Sequence, residues 1–314
     1  MYEKILKLIR EYETIIIHRH KNPDMDAYGS QLGLKNIIEL NFPTKKVYVV
    51  GDENNFAFLG AMDVIDDSIY SNALVIVVDV AVAVLVSDDR YKLAKHVLVI
   101  DHHLNSSDIA DTEFINSDCI ACAQIIADIA LTEDLIIDKE AATALFGGLA
   151  TDSGRFLYPN TTAKSFEIAA YLARKGADIQ YIYDNLYTES LNFKKLKGYF
   201  INNFKTTENK VAYMKNNTSV KDEFGVTTFI VSRAMVNQMS GIEGIEIWAN
   251  FTMDEDGKVQ SELRSKRIPI VDIAKKYGGG GHLLACGCTL SSFEDANLVL
   301  ADLDQLLKEE IQNG

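Results

Sequence analysis

The sequence predicts an α/β protein: a parallel-sheet N-terminal domain with helices on both faces, a smaller α+β C-terminal domain, and a cleft between the two. Three observations support this prediction. The chain has 314 residues, more than one domain usually contains. Its first half alternates short runs rich in Val and Ile with segments of helical spacing, which is the pattern of a parallel sheet covered on both faces. Its last third shows the strand and turn patterns of an antiparallel sheet.

Four apolar runs in the first half predict the strands of the parallel sheet: TIIIHRH, KVYVVG, ALVIVVDV and HVLVIDHH. Apolar residues recur at helical spacing in four other segments: DAYGSQLGLKNIIEL, CAQIIADIALT, KEAATALFGGLATD and TTAKSFEIAAYLARKGA. We assign these elements to an N-terminal domain of residues 1–185.

The polar and aromatic segment 186–205 predicts a helical connector, and residues 206–314 predict the second domain. In that domain KVAYMKN, VTTFIVS and GIEIWANFTMDEDGKVQSELRS resemble antiparallel strands, with DEDGK as a hairpin turn. The helix VDIAKKYG, the glycine run GGGGH and a last helix, FEDANLVLADLDQLLKEEIQ, follow. The pattern leaves open whether the connector also serves a homodimer.

Composition excludes several classes of protein. A net charge of −14 argues against a surface that coats nucleic acid in general. The first residues, MYEKILKLIREYETIIIHRH, carry too many charges for a signal peptide or a membrane span, so we expect a cytoplasmic protein without a membrane partner. Cys119 and Cys122 form a lone C-x-x-C, but the sequence context of a zinc or redox site is missing, and we expect Cys119, Cys122, Cys286 and Cys288 to be small buried apolar residues.

Acidic and imidazole side chains follow three of the predicted parallel strands, and one more ends the helical segment KEAATALFGGLATD. They are His20, Asp24, Asp26, Asp79, Asp101, His102, His103 and Asp152, and His18 lies in the same segments. Because the carboxyl ends of parallel strands converge on one crevice, these residues can meet in space. Clustered carboxylates repel each other unless cations lie between them, and mixed carboxylate and imidazole ligands suit Mn²⁺ better than Mg²⁺. Two such ions that share a carboxylate could activate water for attack on phosphorus.

Simpler interpretations exist for each residue taken alone. An aspartate after a strand most often caps a helix, and Asp26 before AYGSQLGL fits that role. A single histidine is usually a core or surface residue, as we expect for His96. These interpretations would have to hold independently at every position, so the joint pattern favours a metal site.

The motifs NPDMDAYGS, Asp79 after VIVV, DHH and TDSG together resemble the four motifs of the DHH phosphoesterases. ELRS followed by GGGGH resembles the DHH-associated C-terminal domain, so the resemblance spans nearly the whole chain. Within the family, the sequence most resembles small cytoplasmic members that degrade very short RNA to mononucleotides and dephosphorylate 3′-phosphoadenosine 5′-phosphate. The resemblance therefore implies a manganese-dependent phosphodiesterase and phosphatase of the exoribonuclease type.

The resemblance also implies a role for each candidate residue. One metal ion would be held by His20, Asp24 and Asp79, and the other by Asp26, Asp79, His102 and Asp152. His103 would face the scissile phosphate, while Asp101 would orient the histidine pair. Substrate contacts would come from Arg264, Ser265, Gly279, Gly280, Gly281 and His282, with Arg155 as a further candidate.

One loop departs from the family pattern. After the motif aspartate, relatives often carry polar residues and a nearby arginine, whereas this chain has Val80, Ala81 and Val82, then Leu85. The departure puts in doubt any substrate contact from this loop. The alternative function is hydrolysis of linear or cyclic dinucleotides; pyrophosphatase or polyphosphatase action, or a non-catalytic nucleotide-binding module, is less favoured.

Overall fold

The computed structural model describes residues 2–104 and 106–313. The chain forms two compact units, Met1–Thr188 and Glu189–Gly314. The first unit contains, in chain order, α1 (Glu3–Glu11), β1 (Thr14–His18), α2 (Met25–Asn41), β2 (Lys46–Val49), β3 (Leu74–Val78), β4 (His96–Asp101), β5 (Thr112–Ile115), α3 (Cys122–Thr132), α4 (Lys139–Asp152), α5 (Ala163–Arg174) and α6 (Ile179–Tyr187).

The first unit is built on a five-stranded sheet in the order β2-β1-β3-β4-β5, and every neighbouring pair is parallel. The four predicted strands and the α/β class of this unit are confirmed. The edge strand β5 was not predicted, because the four residues TEFI include a glutamate and are mostly only partly buried, so no apolar run marks them.

Alternate side chains of the central strands enter two apolar layers. Ile15 and Ile17 pack with residues of α1 to α5 on one face of the sheet. Ile16 packs on the other face with Tyr70 and Tyr91, which lie in short 3₁₀ turns between the strands. Both faces of β3 are therefore dry, and all five of its residues are buried.

The sheet order places a topological switch point beside β1. The chain adds β2 on one side of β1 and then β3 on the other side. Helices and loops thus diverge at the carboxyl ends of β1 and β3 and leave a crevice there, where ligands bind in sheets of this kind.

His18 points away from that crevice. Its ring is buried between Tyr70 and Tyr91, and its Nε2 lies 3.2 Å from the Tyr70 hydroxyl. Grouping His18 with the candidate site segments was therefore wrong, because its side chain alternates to the opposite face of the strand.

Acid should destabilise the first unit through His18. Burial, assisted by Arg90 and only partly offset by Asp88, lowers the pKa of His18 from 6.5 to about 4. The unfolded chain therefore binds this proton first, and the contribution of neutral His18 is lost as pH falls from 6.5 towards 4. Between about pH 7.5 and about pH 5, replacing His18 by Gln should reduce the fall in unfolding free energy by about 2 kcal/mol. Urea titrations with EDTA present measure this difference, and equal pH dependence in both proteins would contradict it.

The second unit carries its own sheet. Its elements are α7 (Leu191–Asn203), β6 (Lys205–Thr206), β7 (Ala212–Asn216), α8 (Ser219–Phe224), β8 (Ile247–Met253), β9 (Val259–Ser265), α9 (Val271–Lys276), β10 (Gly280–His282), β11 (Ala285–Leu290) and α10 (Phe293–Asn313). The strand order is β10-β11-β9-β8-β7-β6, and the DEDGK turn joins β8 to β9 as predicted.

Two predictions for the second unit were wrong. KVAYMKN forms β7, but β7 runs parallel to β8, because a long helical connection between them allows a crossover. VTTFIVS is not a strand: it becomes helical at Thr228 and continues as a π-helix over Ile230–Ala234. Its buried residues Val231, Met235 and Met239 recur every fourth position, a helical period that becomes visible only when the segment is read past its end.

The four cysteines are free and buried, as predicted for small apolar residues. Among the helices of residues 2–104 and 106–313, none is both long and apolar enough to cross a membrane.

Candidate metal centre

The first unit brings all eight predicted acidic and imidazole residues to one end of the parallel sheet. His20 follows β1, Asp24 caps α2 by accepting from the Ala27 amide at 3.0 Å, and Asp26 lies in the first turn of α2. Asp79 follows β3, and Asp101 is the last residue of β4. His102 and His103 come next, and Asp152 ends α4.

Asp79 lies at the middle of this cluster. One of its carboxylate oxygens, Oδ2, is 3.5 Å from Nε2 of His20, and the other, Oδ1, is 3.3 Å from Nε2 of His102. The residue has a φ of 59°, a left-handed conformation that aspartate tolerates better than most residues. Its amide donates to the carbonyl of Ile100 at 3.0 Å, which fastens this turn to the neighbouring strand. The backbone therefore directs both oxygens of one carboxylate towards two different histidines.

Asp26 and Asp152 complete the side of the cluster nearer to His102. Nε2 of His102 is 3.8 Å from Oδ2 of Asp26 and 3.6 Å from Oδ2 of Asp152. Asp26 also accepts from the amides of Cys122 at 2.6 Å and Ala123 at 2.9 Å, which are the first amides of α3. The capping role considered for Asp26 is thus real, but the helix that it caps is α3 and not its own.

Asp101 and His103 form a separate pair at the rim. Oδ1 of Asp101 accepts from the amide of His102 at 2.7 Å and lies 2.7 Å from Nδ1 of His103. Asp101 is buried, whereas the His103 side chain is 54% exposed. The buried carboxylate therefore fixes the ring of a histidine whose other nitrogen, Nε2, remains available.

The imidazoles inside the cluster favour their charged form. Burial opposes protonation of His20, but the carboxylates of Asp24 and Asp79 outweigh burial and raise its pKa to about 10. Burial also opposes protonation of His102, and there Asp79 and Asp26 outweigh it and raise the pKa to about 9. Positive charge is thus strongly stabilised at both positions.

The carboxylates destabilise one another in return. Burial and the charges of Asp79 and Asp152 raise the pKa of Asp26 well above its ordinary value. Burial, followed by Asp24 and Asp79, raises the pKa of Asp152 to about 7. A divalent cation would favour the ionised form of all these groups, because its charge replaces that of the missing protons.

Two buried atoms test whether the residues fit such a cation. Nε2 of His102 and Oδ1 of Asp79 face each other, yet neither has a hydrogen-bond partner within residues 2–104 and 106–313. Buried polar atoms without a partner are costly, so a ligand is expected between them. Possible ligand atoms within 4.8 Å of one another occur in three sets: His20 with Asp24 and Asp79, Asp26 with His102 and Asp152, and Asp79 with Asp101, His102 and His103. The donor set is compatible with divalent metal ions.

A cavity of about 290 Å³ opens at this centre. Besides six of the acidic and imidazole residues, its lining contains Val80, Ala81, Val82 and Leu85. Sequence reasoning recorded these apolar residues as a departure and did not place them at the site. Arg155 does not line this cavity, and its guanidinium lies over the ring of Tyr187 instead.

The second unit has a separate cavity of about 550 Å³. Its lining includes Arg264, Gly279, Gly280, Gly281 and His282 but not Ser265, whose hydroxyl accepts from the amide of Ile268. The guanidinium of Arg264 already donates to Glu262 and to the carbonyls of Leu263 and Cys286. Arg233 lines the same cavity, is exposed, and has no ion-pair partner within 4.0 Å in the described chain. Sequence reasoning missed it because Arg233 directly follows VTTFIVS, which was predicted as a strand, so nothing placed it near the glycine run.

Two glycines of the glycine run are surrounded differently. A Cβ on Gly279 would lie 2.1 Å from the carbonyl oxygen of Gly287, so the close packing of β11 requires this glycine. A Cβ on Gly280 would meet open space within 4 Å among the described atoms. Of these two positions, Gly280 leaves the backbone bare on the side of a possible ligand, as does Gly278 at the start of the run.

Comparisons with known proteins agree with this architecture. The DHH family, N-terminal domain, matches residues 14–149, and the DHHA1 domain matches residues 211–309. A bifunctional oligoribonuclease and PAP phosphatase, NrnA, of Bacillus subtilis (strain 168) is 35% identical over 313 residues, covering 98% of this chain and 99% of the relative. The probable bifunctional oligoribonuclease and PAP phosphatase NrnA of Streptococcus mutans is 36% identical over 308 residues, covering 98% of this chain and 99% of the relative.

A solved structure shares the fold over the same length. It is that of an exopolyphosphatase-related protein from Bacteroides fragilis, with a TM-score of 0.74 and 23% sequence identity. The match covers 98% of this chain and 97% of that one. At this identity the likeness concerns the fold alone.

Proposed function

The chain belongs to the DHH family, and from that membership we propose that it degrades very short RNA to mononucleotides and dephosphorylates 3′-phosphoadenosine 5′-phosphate to AMP. The relatives that carry both activities in their names are similar along essentially their whole length. The enzyme is a metal-dependent hydrolase that acts in the cytoplasm.

One observation carries the proposal. The unpartnered Nε2 of His102 and Oδ1 of Asp79 face each other, with Asp26 and Asp152 close to the same imidazole. Such a group of buried and partly buried carboxylates and imidazoles offers the ligands that a divalent ion prefers, and hydrolysis of a phosphate ester is the chemistry that such ions support.

We assign the metal ligands as the family resemblance implies. His20, Asp24 and Asp79 would hold one ion, while Asp26, Asp79, His102 and Asp152 would hold the other. Asp79 would contribute to both sites, since one of its carboxylate oxygens faces His20 and the other faces His102. A bound pair of divalent cations supplies the positive charge that stabilises the phosphate as charge develops on it. The mixture of imidazole and carboxylate ligands favours Mn²⁺ over Mg²⁺.

His103 is the residue that donates a proton to the substrate. Its hydrogen bond with Asp101, only partly opposed by burial, raises its pKa and holds Nδ1. Nε2 is then left to donate to an oxygen of the scissile phosphate or of the leaving group. Asp101 acts through His103, since it fixes the tautomer and the orientation of the ring.

Recognition of the nucleotide end is assigned to the second domain. Arg264, Ser265, Gly279, Gly280, Gly281 and His282 are the proposed contacts, with Arg155 from the catalytic domain. Gly280 is favoured among the glycines because its backbone faces open space. Arg264 would have to exchange its bond with Glu262 for one with an anion, so the exposed Arg233 of the same cavity is a reasonable second cation.

A direct assay tests the proposal. The purified protein with Mn²⁺ is expected to hydrolyse a 5′-labelled RNA dinucleotide and 3′-phosphoadenosine 5′-phosphate, and EDTA should abolish both reactions. Turnover should fall as the RNA is lengthened, because the substrate is held by its end. Chromatography of the labelled products and release of inorganic phosphate are the measurements.

The same assay separates the alternatives. Hydrolysis of a cyclic dinucleotide in preference to both substrates would establish the alternative function instead. Turnover of pyrophosphate alone would contradict action on nucleotides. No turnover of any of these compounds would contradict an enzymatic role.

A further inference from the structure

The loop after Asp79 forms one wall of the catalytic cavity. We call residues 80–85 the apolar loop, since its sequence VAVAVL contains no polar side chain. Val80, Ala81, Val82 and Leu85 line the cavity together with the acidic and imidazole residues. Leu85 is 45% exposed. An apolar surface beside a set of charged groups is unfavourable in water, so it requires its own explanation.

The apolar loop is held firmly in place. The amide of Lys21 donates to the carbonyl of Leu85 at 2.8 Å, and the amide of Asp108 donates to the carbonyl of Ala81 at 3.1 Å. The carboxylate of Asp108 accepts from the amide of Ala83 at 2.8 Å. Segments on two sides thus fix the backbone of the loop, which is preorganised as a surface for a ligand.

The cavity lining contains neither Lys nor Arg among the described residues. A phosphate in this cavity therefore depends on the metal ions and on histidine for neutralisation. The group attached to that phosphate must occupy the remaining wall, which is apolar. Of the parts of a nucleotide, the nucleoside has the apolar faces that such a wall can cover.

We propose that the residues of the apolar loop that line the cavity bind the nucleoside attached to the scissile phosphate, with Val82 and Leu85 as the main contacts. This inference rests on the proposed function. It adds that the catalytic domain itself selects substrates that carry a nucleoside on the scissile phosphate. The side chains of the loop offer no hydrogen-bond donor or acceptor. They should therefore increase the affinity for any ligand that carries a nucleobase, without distinguishing the four bases.

Val82 and Val84 provide a matched pair of variants. Val82 lines the cavity, whereas Val84 belongs to the same loop, is 72% exposed and is not part of the lining. Val82→Asn should raise KM for 3′-phosphoadenosine 5′-phosphate about tenfold with little change in kcat. The same variant should leave KM unchanged for the base-free analogue, 1-deoxyribose 3,5-bisphosphate. Val84→Asn should behave as the wild type with both substrates.

Calorimetric titration supplies a measurement that does not depend on turnover. AMP should bind to Val82→Asn about tenfold more weakly than to the wild type, whereas the affinity for base-free ribose 5-phosphate should not change. If Val82→Asn and Val84→Asn do not differ, or if Val82→Asn weakens both ligands of a pair equally, the inference is overturned. Absence of hydrolysis by the wild-type enzyme would instead overturn the proposed function, and the AMP titration would still decide the role of the loop.

Discussion

Replacing Asp79 by Asn is expected to lower kcat/KM for short RNA by about 10³-fold or more. The variant keeps the size of the side chain and tolerates the left-handed φ of 59°, so the fold should survive. It removes the negative charge from the one carboxylate whose two oxygens face His20 and His102. Steady-state kinetics with Mn²⁺, together with inductively coupled plasma analysis of retained metal, should reveal the loss of both activity and metal.

A matched control is available in the same unit. The side chain of Asp67 is 69% exposed, and its contact is an ion pair with Arg90 at 3.2 Å. Asp67→Asn makes the same chemical change outside the centre and should retain wild-type activity. An Asp79→Asn enzyme within tenfold of the wild type would refute the assigned metal site.

Replacing Gly29 by Ala should lower the melting temperature of the first unit by about 8 °C, which corresponds to about 3 kcal/mol. Gly29 lies in α2, where it meets α4, and a Cβ there would be 2.3 Å from the carbonyl oxygen of Ala144. Alanine gains about 1 kcal/mol in helix propensity over glycine, but this gain is smaller than the cost of separating two packed helices. Differential scanning calorimetry measures the balance.

Gly198 tests the same substitution without the contact. It lies inside α7, and a Cβ there would have no described atom within 4 Å. Gly198→Ala should therefore stabilise the second unit by about 0.5–1 kcal/mol. If the two variants shift stability in the same direction, the close approach of α2 and α4 is not what requires Gly29.

Sequence periodicity predicted the elements in which burial is uniform. ALVIVVDV could be assigned because every residue of β3 is buried, and CAQIIADIALT because α3 buries most of its length. The segment around Phe229 failed because a short apolar run flanked by β-branched residues fits a strand and a buried helical turn equally well. A local sequence pattern also does not show whether two strands pair in parallel or antiparallel, so the parallel pairing of β7 with β8 could not be predicted.

The candidate site was predictable to a greater extent than the fold of the second unit. The carboxyl ends of parallel strands meet wherever such a sheet forms, so His20, Asp79 and His102 had to be neighbours. What could not be predicted are the partners that tertiary packing brings. The bond of Arg264 to Glu262, the capping of α3 by Asp26 and the place of Arg233 beside the glycine run all depend on contacts that no spacing reveals.

The bond between Asp26 and the start of α3 has a consequence for protein synthesis. The candidate ligands extend from His20 to Asp152, and Asp26 is oriented only once α3 offers its amides. A chain emerging from the ribosome therefore exposes its first ligands long before their partners exist. The ion assigned to Asp26, Asp79, His102 and Asp152 can be captured only after α4 has been translated and docked, so prematurely terminated chains that lack this helix should be inert towards cellular RNA.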